Sequence, residues 1–302
     1  MAFVAQQQWI KEINENFFKG LEAIAMAGTD DKAYIQGEKV NIRNAGTPAS
    51  VTKGNRSYPV AISQRTDDTL TYDLTNYEMG PLRIDSVDQI QTSPALLSSN
   101  VNDLLGNTSF RAARETMIGW YHYTAGTFVE TSGSNFAAHA PSATGNRKGL
   151  TGKDLLKAAG IMNGQLVDGS ERYALVDSVM FAQLIDDLGY NADRVEVVGG
   201  LQMILPPVYG FKVVEVPQVV FVATGGAVRS VGDVSATTTD KAVALCVQKR
   251  CVSHAWTETR IKIDTDAVGY FAEALVEAWK YGGGKYRRTD KLGVVPIIQT
   301  IP

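Results

Sequence analysis

The stretch from Val268 to Ile298 constrains the fold most, because side chains alternate along it with period two. The two parities are Tyr270, Ala272, Ala274, Val276 and Ala278 against Phe271, Glu273, Leu275, Glu277 and Trp279. This alternation predicts a strand, although the same residues also fit a helical window. Three glycines, 282–284, are predicted to end the element at a bend or at positive φ, since glycine is costly inside regular structure. A basic cluster and a final apolar strand, 292–298, complete the stretch.

Composition argues against several classes of protein. A chain of 302 residues can bury a full core, in one large or two modest domains. The net charge of -3 argues against a general nucleic-acid binder. We find no apolar run of about 18 residues and no secretion signal at the start, so we expect neither membrane insertion nor export. Cys246 and Cys251 would face opposite sides of one strand, so we expect free thiols in a reducing compartment.

Residues 1–32 are predicted to form an amphipathic N-terminal arm. Apolar residues recur there at helical spacing, with polar residues opposite: Ile10, Ile13, Phe17, Leu21 and Ile24. Trp9 and Phe17 are its candidate contact residues. The arm would pack either on its own domain or on a neighbouring subunit, and the sequence leaves both open.

Residues 33–80 are predicted to form a long β-hairpin. Tyr34–Arg43 is predicted as the outgoing strand, and 44–57 is a tip of glycine, proline and small polar residues. The return strand alternates through Leu70, Tyr72, Leu74 and Asn76. A tip of this length is unusual in a compact domain and indicates a projecting, functional loop.

Charge is segregated around this hairpin. Residues 39–66 contain five basic side chains and no acidic one: Lys39, Arg43, Lys53, Arg56 and Arg65. Residues 67–103 contain seven acidic side chains against one arginine: Asp67, Asp68, Asp73, Glu78, Asp85, Asp88 and Asp103. Such runs usually lie on a solvated surface. The alternative is that the two attract each other across a boundary between subunits.

In the middle of the chain, the sequence pattern changes from that of one long helix to that of alternating short helices and strands. An apolar stripe predicts a helix from Pro94 to Tyr123, which if unbroken would be roughly 45 Å long. Residues 124–149 are predicted as a loop. A set of shorter elements follows: helix Thr151–Met162 with Thr151 as N-cap, buried strand Tyr173–Asp177, helix Val179–Leu188, strands within 210–223, and one long apolar strand, Ala242–Trp256.

Signals for chemistry are weak. The histidines are scattered, His122 is interpreted as a packing or capping residue, and His139 has no acidic neighbour in the sequence. We find no ligand spacing for zinc. Residues 145–154 are similar to a phosphate-binding loop, but Arg147 replaces its first glycine and Asp154 its Ser or Thr. The sequence therefore predicts no enzyme and no cofactor.

The order of these elements resembles the HK97 fold of tailed-bacteriophage major capsid proteins. The residues that carry the resemblance are Ile84–Gln91 before the long helix and Ala278–Gly282 with its basic sequel. The resemblance spans nearly the whole chain and implies an α+β fold. Its expected parts are an N-terminal arm (1–32), an extended loop (33–80), a peripheral domain with the spine helix (81–150 and 255–302) and an axial domain (151–254). One departure is that no long scaffolding segment precedes the arm.

The resemblance implies a shell protein that assembles with itself, as hexamers and pentamers, into an icosahedral head around double-stranded DNA without sequence specificity. It also implies a scaffolding protein and a portal as partners, leaves open whether a decoration protein binds, and implies a location in the virion after assembly in the host cytoplasm. The candidate contact residues are Trp9, Phe17, Lys39, Arg43, Lys53, Arg56, Arg65, Asp85, Asp88, Asp103, Arg287 and Arg288. Two alternatives remain: an encapsulin-like compartment, and an α/β enzyme with a pocket within 150–254.

Overall fold

The computed structural model describes residues 22–44, 53–54, 67–84, 110–189, 195–198, 202–217, 219–230, 237–257, 260–264 and 274–302. The elements up to residue 188 are α1 (Glu22–Ala27), β1 (Thr29–Asp30), β2 (Ile35–Gln36), β3 (Lys39–Asn44), β4 (Asp68–Asp73), β5 (Thr75–Ile84), α2 (110–120), β6 (Val129–Glu130), β7 (Asn135–Ala137), β8 (Asn146–Lys148), α3 (Gly152–Gly164), β9 (Arg172–Asp177) and α4 (Ser178–Leu188). The later elements are β10 (Glu196–Val198), β11 (Gln202–Val208), β12 (Phe211–Val216), β13 (Val220–Val222), β14 (Lys241–Gln248), β15 (Val252–Trp256), β16 (Arg260–Asp264), β17 (Ala274–Tyr286) and β18 (Val294–Ile298). This mixture confirms the predicted α+β class.

An eight-stranded mixed sheet forms the larger half of the molecule. Its strands follow the order β10-β11-β12-β9-β14-β18-β6, and β13 pairs with β14 beyond this path. The pairs β12–β9 and β18–β6 are parallel, and the other pairs are antiparallel. The predicted buried strand Tyr173–Asp177 is confirmed as β9, where all six residues are buried.

Helices cover both faces of this sheet, which explains why apolar residues occupy both parities of the central strand β14. On β14, Val243 and Leu245 face the core shared with Ile24 of α1 and Trp120 of α2. Ala244 and the other alternate residues of β14 face a second core, which contains the buried sides of α3 and α4. A strand buried on both faces needs apolar residues at both parities.

The chain changes sheets at residues 249–251, which corrects the predicted single strand Ala242–Trp256. Lys249–Cys251 forms a 3₁₀ turn between β14 and β15. The strand β15 then joins a five-stranded sheet of order β1-β15-β17-β16, with β5 also paired to β17. Two polar residues, Lys249 and Arg250, interrupt the apolar run, and Gln248 caps the turn by accepting a hydrogen bond from Arg250 N at 2.8 Å.

The strand β17 runs through the three glycines, so the predicted end of the element at 282–284 is wrong. Gly282, Gly283 and Gly284 pair with Trp256, Ala255 and His254 of β15. None of the three has a positive φ. Regular pairing to β15 supplies the hydrogen bonds that offset the backbone entropy of glycine.

Within residues 33–80, β3 and β4 form an antiparallel hairpin, whereas β5, which contains Asn76 of the predicted return strand, pairs with β17 in the five-stranded sheet. Lys39–Asn44 pairs in register with Asp68–Asp73, which confirms the predicted pairing of outgoing and return strands. Tyr34–Arg43 is not one strand, because Gly37, at φ 65°, allows a tight turn between β2 and β3. The buried alternation of Leu70, Tyr72 and Leu74 is confirmed, and most of the predicted tip lies outside the described residues.

Two further expectations differ from the structure. The helical residues 110–120 stop at Trp120, three residues before the predicted end at Tyr123. The region 124–149 is not a plain loop, because it contains β6, β7 and β8. The last strand, β18, pairs with β14 in the eight-stranded sheet. The domain boundaries stay predictions.

Candidate assembly site

Five of the candidate contact residues lie in the described part of the chain. Arg43 and Lys53 are exposed. Lys39 is also exposed, at 65%, and its Nζ forms an ion pair with Asp73 Oδ1 across the hairpin at 3.3 Å. Arg287 and Arg288, in the basic cluster after β17, are also described. The other candidates lie outside the described residues: Trp9, Phe17, Arg56, Arg65, Asp85, Asp88 and Asp103.

The two arginines of the basic cluster have partners in their own chain. Arg287 Nε lies 3.1 Å from Oδ2 of Asp31, a carboxylate that is only 1% exposed. Arg288 forms a close pair with Asp290, with 2.6 Å between Nη2 and Oδ2. Burial raises the pKa of Asp31, and the nearby Arg287 opposes that rise. Arg287 therefore stabilises its own fold, and any contact with another subunit would be an additional role.

The glycines of β17 create a flat surface on which two tryptophans dock, a feature that the sequence analysis missed. A Cβ on Gly282 would overlap the ring of Trp256. A Cβ on Gly284 would lie 2.9 Å from Nε1 of Trp120, and one on Gly119 would overlap the carbonyl oxygen of Gly284. Glycines at these positions let the end of α2 lie directly on β17. An alternating strand pattern followed by consecutive glycines is the sequence signal that could have predicted the packing of the tryptophans on β17.

His139 has an acidic partner in space, which corrects the expectation from its sequence neighbours. Its Nε2 lies 2.7 Å from Oδ2 of Asp177, and both side chains are largely buried. The other oxygen of Asp177 accepts a hydrogen bond from Met180 N at 2.8 Å and so caps α4. One carboxylate thus joins the β7–β8 hairpin to the start of a helix.

The segment that resembled a phosphate loop has a structural role. The Arg147 side chain is 2% exposed and donates to backbone carbonyls, including Thr238 O at 3.0 Å and Asp240 O at 3.1 Å. Asp154 is fully buried and accepts from Ser132 and Thr151, and Lys157 donates to it at 3.1 Å. Burial disfavours ionisation of Asp154, but these hydrogen bonds outweigh it and lower the pKa of the carboxyl.

An open cleft lies between β6 and α3. Its volume is about 690 Å³, and it is lined by Phe128, Val129, Glu130, Lys157, Gly160 and Ile161. This lining has one carboxylate and one ammonium group and includes no histidine, cysteine or hydroxyl that could act as a nucleophile. Glu130 and Lys157 are the two side chains of the cleft that could take part in acid–base chemistry.

Within the described residues, His, Cys, Asp and Glu side chains nowhere gather in threes as a metal site requires. Helices long and apolar enough to cross a membrane are likewise absent from the part of the chain that the structure describes. Both cysteines are buried free thiols, as the sequence predicted.

The sequence matches no family model and no curated protein, whereas the fold matches solved structures. The capsid structure of cyanophage P-SCSP1u superposes with a TM-score of 0.59 at 14% identity, covering 90% of this chain and 86% of that one. The head structure of Helicobacter pylori bacteriophage KHP40 gives 0.58 at 12% identity, with coverages of 92% and 90%. The capsid of Ralstonia phage GP4 gives 0.55 at 11% identity, with coverages of 94% and 90%. These likenesses establish the fold.

Proposed function

We propose that this chain, which has the HK97-like fold of tailed-bacteriophage capsids, is a major capsid protein that assembles with copies of itself into the head shell. The observation that carries the proposal is the likeness to phage capsids over about nine-tenths of both chains. A shell needs weak, heterologous contacts that close by symmetry. A hairpin with the exposed basic residues Lys39, Arg43 and Lys53 is suited to such contacts.

The proposal includes hexamers and pentamers as building units, and double-stranded DNA as contents held without sequence specificity. A scaffolding protein and a portal are its expected partners, and the binding of a decoration protein is left open. The virion is its final location, and the host cytoplasm is where it assembles. The expected domains are the N-terminal arm, the extended loop, the peripheral domain with the spine helix, and the axial domain. The basic extended loop is expected to lie across the spine region of the next subunit.

Negative-stain electron microscopy of the purified full-length chain tests the central claim. We expect closed shells of regular size, formed by the chain alone or after addition of a scaffolding protein from the same phage. A chain that stays monomeric under both conditions contradicts the proposal.

The contents of native particles separate a virus head from a compartment. A head should protect double-stranded DNA from added nuclease. Particles that hold a protein and no nuclease-resistant DNA would identify the encapsulin-like compartment instead. Non-enzymatic function is part of the proposal, and turnover of a substrate dependent on Glu130 or Lys157 in the open cleft would contradict it.

A further inference from the structure

His254 lies where the N-terminal segment, defined here as residues 22–31, joins the body of the protein. Thr29 and Asp30 form β1, which pairs in parallel with Ser253 and His254 of β15. Asp31 N donates to the carbonyl oxygen of His254 at 2.9 Å, and Thr29 Oγ1 donates to Lys249 O at 2.8 Å. The backbone ladder between this segment and β15 is two residues long, and the buried side chains Ala23, Ile24 and Ala27 of α1 also attach the segment to the core.

The imidazole of His254 is enclosed by the N-terminal segment and α2. The residue is 7% exposed, and its Nδ1 has no hydrogen-bond partner among the described residues. Gly28 covers this nitrogen so closely that a Cβ there would lie 2.9 Å from Nδ1 and 2.8 Å from the ring of Trp120. A protonated imidazole carries N–H groups on both nitrogens, so protonation would bury a donor without an acceptor.

The charged groups around His254 do not remove this penalty. Burial lowers the pKa of His254, Asp30 opposes that effect, and Lys249 adds to it. From α2 the facing group is Trp120, and from β17 the paired residue is Gly284, neither of which is charged. Asp31 and Arg287 pair with each other one residue beyond β1, and burial raises the pKa of Asp31, so its titration acts in the opposite direction.

Trp120 and Gly28, which enclose the imidazole of His254, differ in how firmly each is held in place. Trp120 is fully buried, donates from Nε1 to Ser253 O at 2.7 Å and packs against Gly284. Gly28 has no side chain to anchor it and lies between a six-residue helix and a two-residue strand. We propose that mild acid releases the N-terminal segment from β15 by protonating His254, because moving Gly28 is the easiest way to bring the imidazolium to water.

Hydrogen exchange on the full-length chain tests this inference at pH 7.5 and pH 5.5, with protection factors corrected for intrinsic exchange. A group that is neutral when folded and titrates when open changes an opening equilibrium by up to about tenfold per pH unit below its open-state pKa of about 6.5. We expect protection of residues 22–31 to fall by several-fold to about tenfold at pH 5.5, while β14 keeps its protection. His254→Gln, which cannot become charged, should abolish this change, whereas the matched control His122→Gln should retain it.

A second variant decides the matter if His254→Gln does not fold. Gly28→Ala places a methyl group against Nδ1 and Trp120, so the segment should already be loosened at pH 7.5 and should respond less to acid. Unchanged wild-type protection at pH 5.5, or an undiminished pH response in either variant, would overturn the proposal. The measurement works on subunits and on particles alike, so its outcome is independent of whether the chain forms a shell.

Discussion

The three consecutive glycines of β17 have different surroundings, so their substitutions should differ. A methyl group at Gly282 would overlap Trp256, and one at Gly284 would lie 2.5 Å from Thr116 Cγ2. At Gly283 the nearest atom would be 3.6 Å away, an ordinary contact. We expect Gly282→Ala and Gly284→Ala to lower the free energy of unfolding by about 1–3 kcal/mol, and Gly283→Ala to change it by less than about 1 kcal/mol.

Urea denaturation followed by far-UV circular dichroism measures all three variants. Equal losses at the three positions would show that backbone conformation, and not the approach of the tryptophan and threonine side chains, explains the glycines. Gly283 can accept a methyl group because its φ is not positive and no neighbouring atom would lie within 3.6 Å of the added Cβ.

The buried carboxylate of Asp154 should make stability depend on pH. Its pKa is lowered in the folded protein, so the stabilisation is present above the ordinary value of 3.8 and is lost as pH falls through the lower folded-state pKa. Asp154→Asn should lower the unfolding free energy by about 1–3 kcal/mol at pH 7. The difference between wild type and variant should shrink between pH 5 and pH 3. The exposed Asp186→Asn is the control, and a pH-independent difference would contradict this account.

At the scale of elements, Asp177 performs two tasks that can be separated. Asp177→Ala removes the cap of α4 and the partner of His139, and should lower stability by about 0.5–2 kcal/mol from the cap alone. Asp177→Asn keeps an acceptor for Met180 N and should lower stability less. A double-mutant cycle of Asp177→Asn with His139→Gln, measured by urea denaturation, should show coupling between the two sites. Additive effects would mean that the contact between His139 and Asp177 contributes nothing to the free energy of unfolding.

The N-terminal arm should be truncated at residue 21 and not at residue 28. A deletion of residues 1–28 would remove Ala23, Ile24 and Ala27, which are buried in the core shared with α2. We expect deletion of 1–21 to leave one cooperative unfolding transition while impairing assembly, which would place the contacts of Trp9 and Phe17 on a neighbour. Ile24→Ala should lower stability by about 2–5 kcal/mol even in the unassembled chain. Loss of cooperative unfolding on deleting 1–21 would assign the arm to its own core.

For the whole molecule, the separation of charge around the hairpin makes assembly testable by charge reversal. If the extended loop lies across the next subunit, then Lys53, Arg56 and Arg65 face the acidic region that contains Asp85, Asp88 and Asp103. Exposed pairs contribute about 0–1 kcal/mol each, but the same contact is repeated at every boundary and guides docking. Light scattering should then show slower assembly as salt rises towards about 0.1 M and beyond.

Reversal of the three basic residues to Glu should block assembly at low salt while the subunit stays folded. Compensating reversal of the three aspartates to Lys should partly restore it. Reversal of three exposed carboxylates elsewhere on the chain, Glu130, Asp186 and Glu196, to Lys is the matched control for added positive charge and should restore nothing. If the control rescues assembly as well as the designed set does, net charge and not a specific contact controls docking.

Local patterns determined the features that depend on neighbours along the chain. The sequence by itself predicted the buried strand β9, the helix α3 with Thr151 as its cap, and the end of α4 at Gly189, where the left-handed conformation suits glycine. It also predicted the α+β class and the pairing within the hairpin, because periodicity and caps are short-range signals.

Only the tertiary structure decided the features that depend on distant residues. His139 and Asp177 are 38 positions apart, and Trp120 and Ser253 are 133 apart, so no local pattern reveals their contacts. The course of β17 through its glycines depends on β15, because pairing and the approach of Trp256 outweigh the entropy of glycine. The apolar run that became β14 and β15 divides between two sheets for the same reason: composition predicts burial, whereas the partner strands determine which sheet each half joins.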